Sequence, residues 1–382
     1  MEDTIEQLED GIYFNLDEEI YQAQNRLSQS GVQNMLISPP LFWARSWLNP
    51  DRKEVDKEAK VTGRAYHHAR LQPDLYASTY VRCPDVSDYP EGVLKTHNDI
   101  KEQFEARGMP KTVKGEKVLD AALRLKDSGY GGPIWPLIEA QAAAEREAAG
   151  TVGLSADVFD NIKRDMEFIR ANEAVAEKLS DGQAEVSVFW TDDKGTRWKM
   201  RTDYLKAQGL SDFKTFANPM GKQLDKCLSD AVMYNRYYIQ PVVYLEGFLA
   251  IRDGLPIRKI QNQDQKNLVE EIRNGKNRPE FWWIFQEKGD VLNILARKFQ
   301  LFTKPAPGHD ANAAGVSDED SARVADMTIR QTSVHMKARA EIDYAARMFR
   351  FYMEEYADRP WPAVNVVSEI GDDDFPLYWL EK

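Results

Sequence analysis

The 382-residue chain carries 50 Lys plus Arg against 62 Asp plus Glu, a formal charge of −12, with 42% hydrophobic and 29% charged residues. That balance excludes a collagenous, fibrous or wholly disordered chain, and no apolar run nears the roughly 18 residues needed to span a bilayer. The opening MEDTIEQLEDG is acidic where a secretory leader is basic and then apolar, so a cytoplasmic protein with no membrane partner is expected. Two cysteines, Cys83 and Cys227, exclude a multi-cysteine zinc or iron–sulfur site in one chain and read as small buried residues. The usual phosphate cradles, G-x-x-x-x-G-K-S/T and a G-x-G-x-x-G between strand and helix, are missing. The acidic balance weighs against a broadly basic nucleic-acid-coating surface, while a channel with a local basic patch is compatible with it.

In chain order, residues 11–48 begin extended and turn helical, with Ser28 or Ser30 as a cap and Pro39-Pro40 as an interruption. Residues 59–71 predict a helix on which Gly63, Tyr66, His67 and Arg70 share a face. Helices are expected at 117–127 and 136–149, and another from Ser155 to Leu179 with an apolar stripe through Ile162, Met166 and Ile169. The period then changes to two: 185–190 and 196–205 read as a hairpin and 209–216 as a third adjacent strand of an antiparallel sheet. A long helix over 221–251, strands at 280–286 and 291–302 and a helix over 322–356 complete the reading. The polar run 261–279 and the Ala/Gly/Asp-rich run 305–320 read as insertions, and the Asp372–Asp374 run as a solvated tail. Residues 1–150 are thus expected as an N-terminal helical region and 151–382 as an α/β core, a mixed central sheet flanked by helices.

Alternation in TRWKMRTDYL places Arg197, Lys199, Arg201 and Asp203 on one face of a strand, and in SDFKTF it places Asp212 and Lys214 on one side. The basic trio is either a solvated face or one that touches phosphates. Two carboxylates and an ammonium suit phosphodiester hydrolysis, which needs a metal to polarise the phosphate and acidify water and a cation to offset developing charge. Hard ions such as Mg²⁺ take oxygen ligands, so Asp203, Asp212 and the Phe213 carbonyl would suffice. Alone, Asp-x-Lys is better explained by an exposed ion pair.

The ordered set Gly63-x-x-x-His67, Asp203, Asp212-x-Lys214 and Gln240-x-x-x-Tyr244 resembles the signature of RecB-type PD-(D/E)xK nucleases. More particularly, the chain is similar to the RecE (exonuclease VIII) nuclease family in its lead from Tyr21 to Pro40, in GRAYHHARLQP, AEVSVFW, KMRTDYL and RYYIQPVVY, and in the late WPAV. The likeness runs with gaps over most of the chain and is strongest from residue 184 to 244. It implies a PD-(D/E)xK core and an exonuclease that degrades one strand of linear duplex DNA from the 5′ end, using Mg²⁺ or Mn²⁺, two ions per site. The 3′ tails would pass to a single-strand annealing partner, and subunits would form a homo-oligomeric ring around the DNA.

By the same resemblance Asp203 and Asp212 hold the metals, His67 adds or positions a ligand, and Lys214 orients water or steadies the phosphate. Gln240 and Tyr244 line the DNA-facing side, and Glu185 is a further carboxylate within reach of a metal or its water. His68 leaves a register ambiguity that the Gly63 spacing resolves toward His67. Pro241 requires that the helix carrying Gln240 either kink or start later. Two rivals remain: a nuclease subunit of a helicase–nuclease or other DNA-processing assembly, and a non-catalytic DNA-end-binding protein on the same fold. The two-cysteine count lowers the CRISPR-adaptation version of the first, whose members usually carry a four-cysteine cluster.

Overall fold

The computed structural model describes residues 6–52, 57–110, 115–218, 220–287, 293–302 and 331–363. The chain forms two compact units, one built from Met1–Glu54 and Glu173–Lys382 and the other from residues 55–172.

In the first unit the chain begins with β1 (Gly11–Tyr13), α1 (Glu18–Gln22), α2 (Gln29–Ile37) and α3 (Pro39–Arg45). Ser28 and Ser38 cap α2 and α3 through their hydroxyls, and the two prolines open α3, where a missing N–H leaves no bond unmade. The second unit follows with α4 (Lys57–Leu71), α5 (Pro73–Thr79), β2 (Tyr80–Arg82), α6 (His97–Ala106), α7 (Val118–Asp127), α8 (Trp135–Ala149), β3 (Val152–Leu154) and α9 (Ala156–Ala171). Its small core gathers Ile100, Phe104, Ala121, Ala122, Leu125 and Ile134, and β2 and β3 pair in parallel.

The chain then re-enters the first unit through α10 (Glu173–Ala176), β4 (Gly182–Thr191), β5 (Arg197–Lys206) and β6 (Gly209–Phe216). After these come α11 (Leu224–Tyr234), α12 (Ile239–Arg252), β7 (Ile257–Lys259), α13 (Gln263–Asn274), β8 (Glu280–Glu287), β9 (Ile294–Lys298) and α14 (Ser333–Glu355). Seven strands form one mixed sheet in the order β7-β1-β4-β5-β6-β8-β9, parallel at β1–β7 and β6–β8 and antiparallel elsewhere. The expected mixed sheet flanked by helices is therefore present.

The β4–β5 hairpin is closed by Asp192, whose carboxylate accepts from the Lys194 and Thr196 N–H groups and from the Trp198 indole. Val186, Val188, Trp190, Trp198 and Met200 enter the main core. Helix α12 packs over them, and at Gly247 an added Cβ would stand 2.6 Å from the Met200 sulfur, so a larger residue there requires the Met200 side chain to shift. Helices α2 and α14 pack with α12 around the same core.

Three expectations are revised, and the choice left open at Pro241 is decided. The helix expected over 221–251 is two helices, broken at Asn235–Tyr238 where Arg236 has φ +51°. Pro241 falls in the first turn of α12, where its absent N–H would have had no partner inside the helix, so α12 starts later and does not kink. The run 261–279 is not an insertion: Asn262 caps α13, and Leu268, Val269 and Ile272 join the main core while the charged residues stay outside. Where residues 1–150 were expected to stand together, β1 pairs between β4 and β7, so the first 54 residues belong with the sheet. The run 305–320 and Asp372–Asp374 lie outside the described residues. Among the described residues no helix is long and apolar enough to cross a membrane.

Candidate active site

The β5–β6 ladder runs from Lys206–Gly209 through Tyr204–Ser211 and stops there. The next residue on β5 is Asp203 and the next on β6 is Asp212, so the two carboxylates stand where the strands part. Asp203 Oδ2 accepts from the Phe213 N–H at 2.7 Å, a side chain taking the place of a backbone acceptor on the neighbouring strand. On β4, Glu185 lies opposite Asp203, between the Ala184–Tyr204 and Val186–Thr202 pairs. It has φ +55°, a left-handed conformation that a non-glycine residue adopts at a cost of about 1–3 kcal/mol and that clusters at functional sites. One carboxylate oxygen of Glu185 lies within 4.8 Å of one of Asp203.

Asp212 is buried, at 2% exposure. Its Oδ2 pairs with Lys214 Nζ, and its Oδ1 accepts from Gln240 Nε2 at 2.5 Å. Burial, and then the Asp203 charge, push the Asp212 carboxyl up to about 6 against the pull of Lys214. Burial opposes the Lys214 ammonium, but Asp212 and Asp203 outweigh it and hold the amine above its usual value. Lys214 is therefore a fixed cation. Its Nζ also stands 5.3 Å from the centre of the Tyr237 ring, a neighbour that no sequence signal marks.

Gln240 and Tyr244 are buried one helical turn apart on α12, and both make bonds to the sheet. Gln240 reaches Asp212 on β6, and the Tyr244 hydroxyl donates to the Arg201 carbonyl on β5 at 2.9 Å. Burial, with the nearby carboxylates, raises the Tyr244 phenol well above its usual value, so it stays a neutral donor. The pair ties one helix to both strands that carry the aspartates.

The basic face divides. Lys199 is 2% exposed, and its ammonium donates to the carbonyls of Tyr21, Gln22 and Gln24 at the end of α1, at 2.8–3.1 Å. It cannot meet a phosphate, because α1 covers it. Arg201 donates to Ser187 Oγ and to the Leu16 and Asp17 carbonyls and lies 4.5 Å from the Tyr21 ring centre. It too serves the fold, holding the N-terminal segment on the strand that ends in Asp203. Arg197 is half-buried, its backbone carbonyl accepting from Leu27. His67 lies half-buried on α4 of the second unit.

No protein-family model matches the chain, and no curated protein matches it. A solved structure from Eubacterium rectale, named "Putative exonuclease", is similar at 14% identity and a TM-score of 0.39, over 88% of each chain.

The donor set fits a hard divalent cation. Glu185 and Asp203 bring two carboxylates within 4.8 Å of each other, hard oxygen ligands of the kind such ions take, and Asp212, paired with Lys214, follows where the strands part. The Gln240 amide oxygen is buried beside Asp212 and makes no hydrogen bond to the protein. Such an acceptor suits a water held by an ion.

Proposed function

We propose that the protein is a metal-dependent deoxyribonuclease of RecE-like type, hydrolysing the phosphodiester bonds of linear duplex DNA from its ends. The reading includes 5′-to-3′ polarity, 3′ single-stranded products for an annealing partner, and a homo-oligomeric ring. What carries it is one observation: Asp203 and Asp212 stand where β5 and β6 part, with Lys214 paired to Asp212 on the same strand.

Glu185, Asp203 and Asp212 are the carboxylates that would hold Mg²⁺ or Mn²⁺, with the Phe213 carbonyl and, from the sequence pattern, the His67 imidazole as further ligands. The cation would supply Lewis acidity toward the phosphate and lower the pKa of a water bound to it. The residues of the chain do the rest. Lys214, held charged, offers donors to a non-bridging phosphate oxygen as negative charge grows on it. Gln240 fixes the rotamer of Asp212, and Tyr244 fixes the backbone of β5 two residues before Asp203.

The decisive measurement is a time course on linear duplex labelled at either the 5′ or the 3′ end, with Mg²⁺ or EDTA, beside a closed circle. Release of 5′ label with Mg²⁺ alone, absent from the circle and from Asp212→Ala, is the expected result. Binding of ends with no cleavage in any metal would leave a DNA-end-binding protein in its place.

A further inference from the structure

A cavity of about 400 Å³ opens at the end of β6, where the chain runs through Thr215, Ala217 and Asn218 toward α11. This is the size of an ordinary small-molecule pocket. Its place is set by the proposed site, because Phe216, which lines it, shares one face of β6 with Lys214. Tyr237 is the wall they share: its ring lines the cavity and also stands 5.3 Å from the Lys214 ammonium.

The lining is unusual for a surface held in water. Tyr234, at the end of α11, is 77% exposed, and Met220 across from it is 74% exposed. A tyrosine and a methionine left open beside a second tyrosine offer flat, polarisable surface with no partner in the fold. The charges in the lining cancel: Asp230 is its one carboxylate, and Lys222 pairs with it at 2.8 Å. The cavity therefore suits a flat neutral group and repels neither sign. Thr215, Asn218 and Asn235 add polar side chains at its edges.

We propose that this cavity takes a nucleobase of the DNA strand being cut, splayed out beside the scissile phosphate and stacked on Tyr234. The proposal rests on the nuclease reading for its substrate and adds to it a means of holding the strand. A phosphate would meet the neutralised Lys222, whereas a base meets two aromatic rings. Stacking tolerates every base, since each has a π face, so the subsite would grip the strand without reading its sequence.

The test uses the full chain and two fluorescently labelled single-stranded oligonucleotides of equal length, one ordinary and one with abasic residues throughout, bound in EDTA and read by anisotropy. The wild type is expected to bind the ordinary strand roughly 5- to 150-fold more tightly than the abasic one, the range of base-on-aromatic stacking. Tyr234→Ala should erase that preference and Tyr234→Trp should retain it. Equal affinity of the wild type for both strands, or an undiminished preference in Tyr234→Ala, would overturn the proposal, as would binding of neither. Tyr234 is exposed, so its removal leaves the core intact. Failure of the nuclease reading shows separately, as absence of Mg²⁺-dependent cleavage in a protein whose base preference is still measurable.

Discussion

Glu185 and Asp203 face each other across β4 and β5 with carboxylate oxygens within 4.8 Å, and Glu185 holds a left-handed backbone to do so. A left-handed backbone at a non-glycine residue opposes stability. Glu185→Gly should therefore raise the melting temperature in EDTA, by about 1–2 °C for each kcal/mol of strain relieved. The same substitution should weaken Mn²⁺ binding in a calorimetric titration. A variant that melts lower in EDTA and binds Mn²⁺ as the wild type does would show that Glu185 serves only the fold.

Asp212→Ala and Lys214→Ala should each lower cleavage about 100-fold or more, the scale set by removing one group that stabilises charge in a transition state. Neither side chain fills apolar core, so far-UV circular dichroism should not change. Addition of Mn²⁺ should raise the melting temperature of the wild type by more than that of Asp212→Ala, because a ligand stabilises only the state that binds it. Equal metal stabilisation in both proteins would remove Asp212 from the ligand set.

Gln240 and Tyr244 are positioning residues in this structure, which separates them from DNA-contacting ones by experiment. Gln240→Ala leaves Asp212 Oδ1 without its amide donor and should lower unfolding free energy by about 1–3 kcal/mol. The expected kinetic signature is a fall in kcat with KM for duplex DNA nearly constant. Tyr244→Phe deprives only the Arg201 carbonyl and should follow the same pattern more weakly. A rise in KM with unchanged kcat would return both residues to the DNA surface.

Burial, and then repulsion from Arg52, Arg201 and Arg26, pull the Lys199 ammonium from its ordinary 10.5 down to about 7. The folded chain thus gives up this proton near pH 7, while the unfolded chain keeps it to about 10.5. Between those values the unfolded state binds more protons, so this group makes stability rise with pH, by at most about 1.4 kcal/mol per pH unit. Melting temperatures from pH 7 to 9.5 should climb in the wild type relative to Lys199→Met, in which the contribution is gone. Parallel curves for the two proteins would contradict the assignment.

The sequence disclosed best what depends on neighbours along the chain. Period-two alternation in 185–190, 196–205 and 209–216 is local, and the three strands lie adjacent as it requires. Asp203, Asp212 and Lys214 meet because one short turn joins their strands. Lys199 was illegible for the opposite reason: alternation reports that it shares a face with Arg197 and Arg201, but what covers that face is α1, some 180 residues earlier. The three residues of β1 carry no period at all, and their partners in β4 are as distant. In 261–279 the polar outer face of α13 outweighed the Leu268, Val269 and Ile272 stripe that a helical period would have exposed. The left-handed Glu185 has no compositional mark, since glutamate rarely adopts it.

Because β1 sits between β4 and β7, the unit of residues 55–172 is an excursion from a body that the chain has already begun to build. A fragment started at residue 151, the boundary that the sequence suggests, would lack the strand that shields β4 and the helix end that receives Lys199. It would present a raw sheet edge and a bare ammonium on an apolar floor, and such edges invite pairing between copies. The sheet unit is to be produced from its first residues onward.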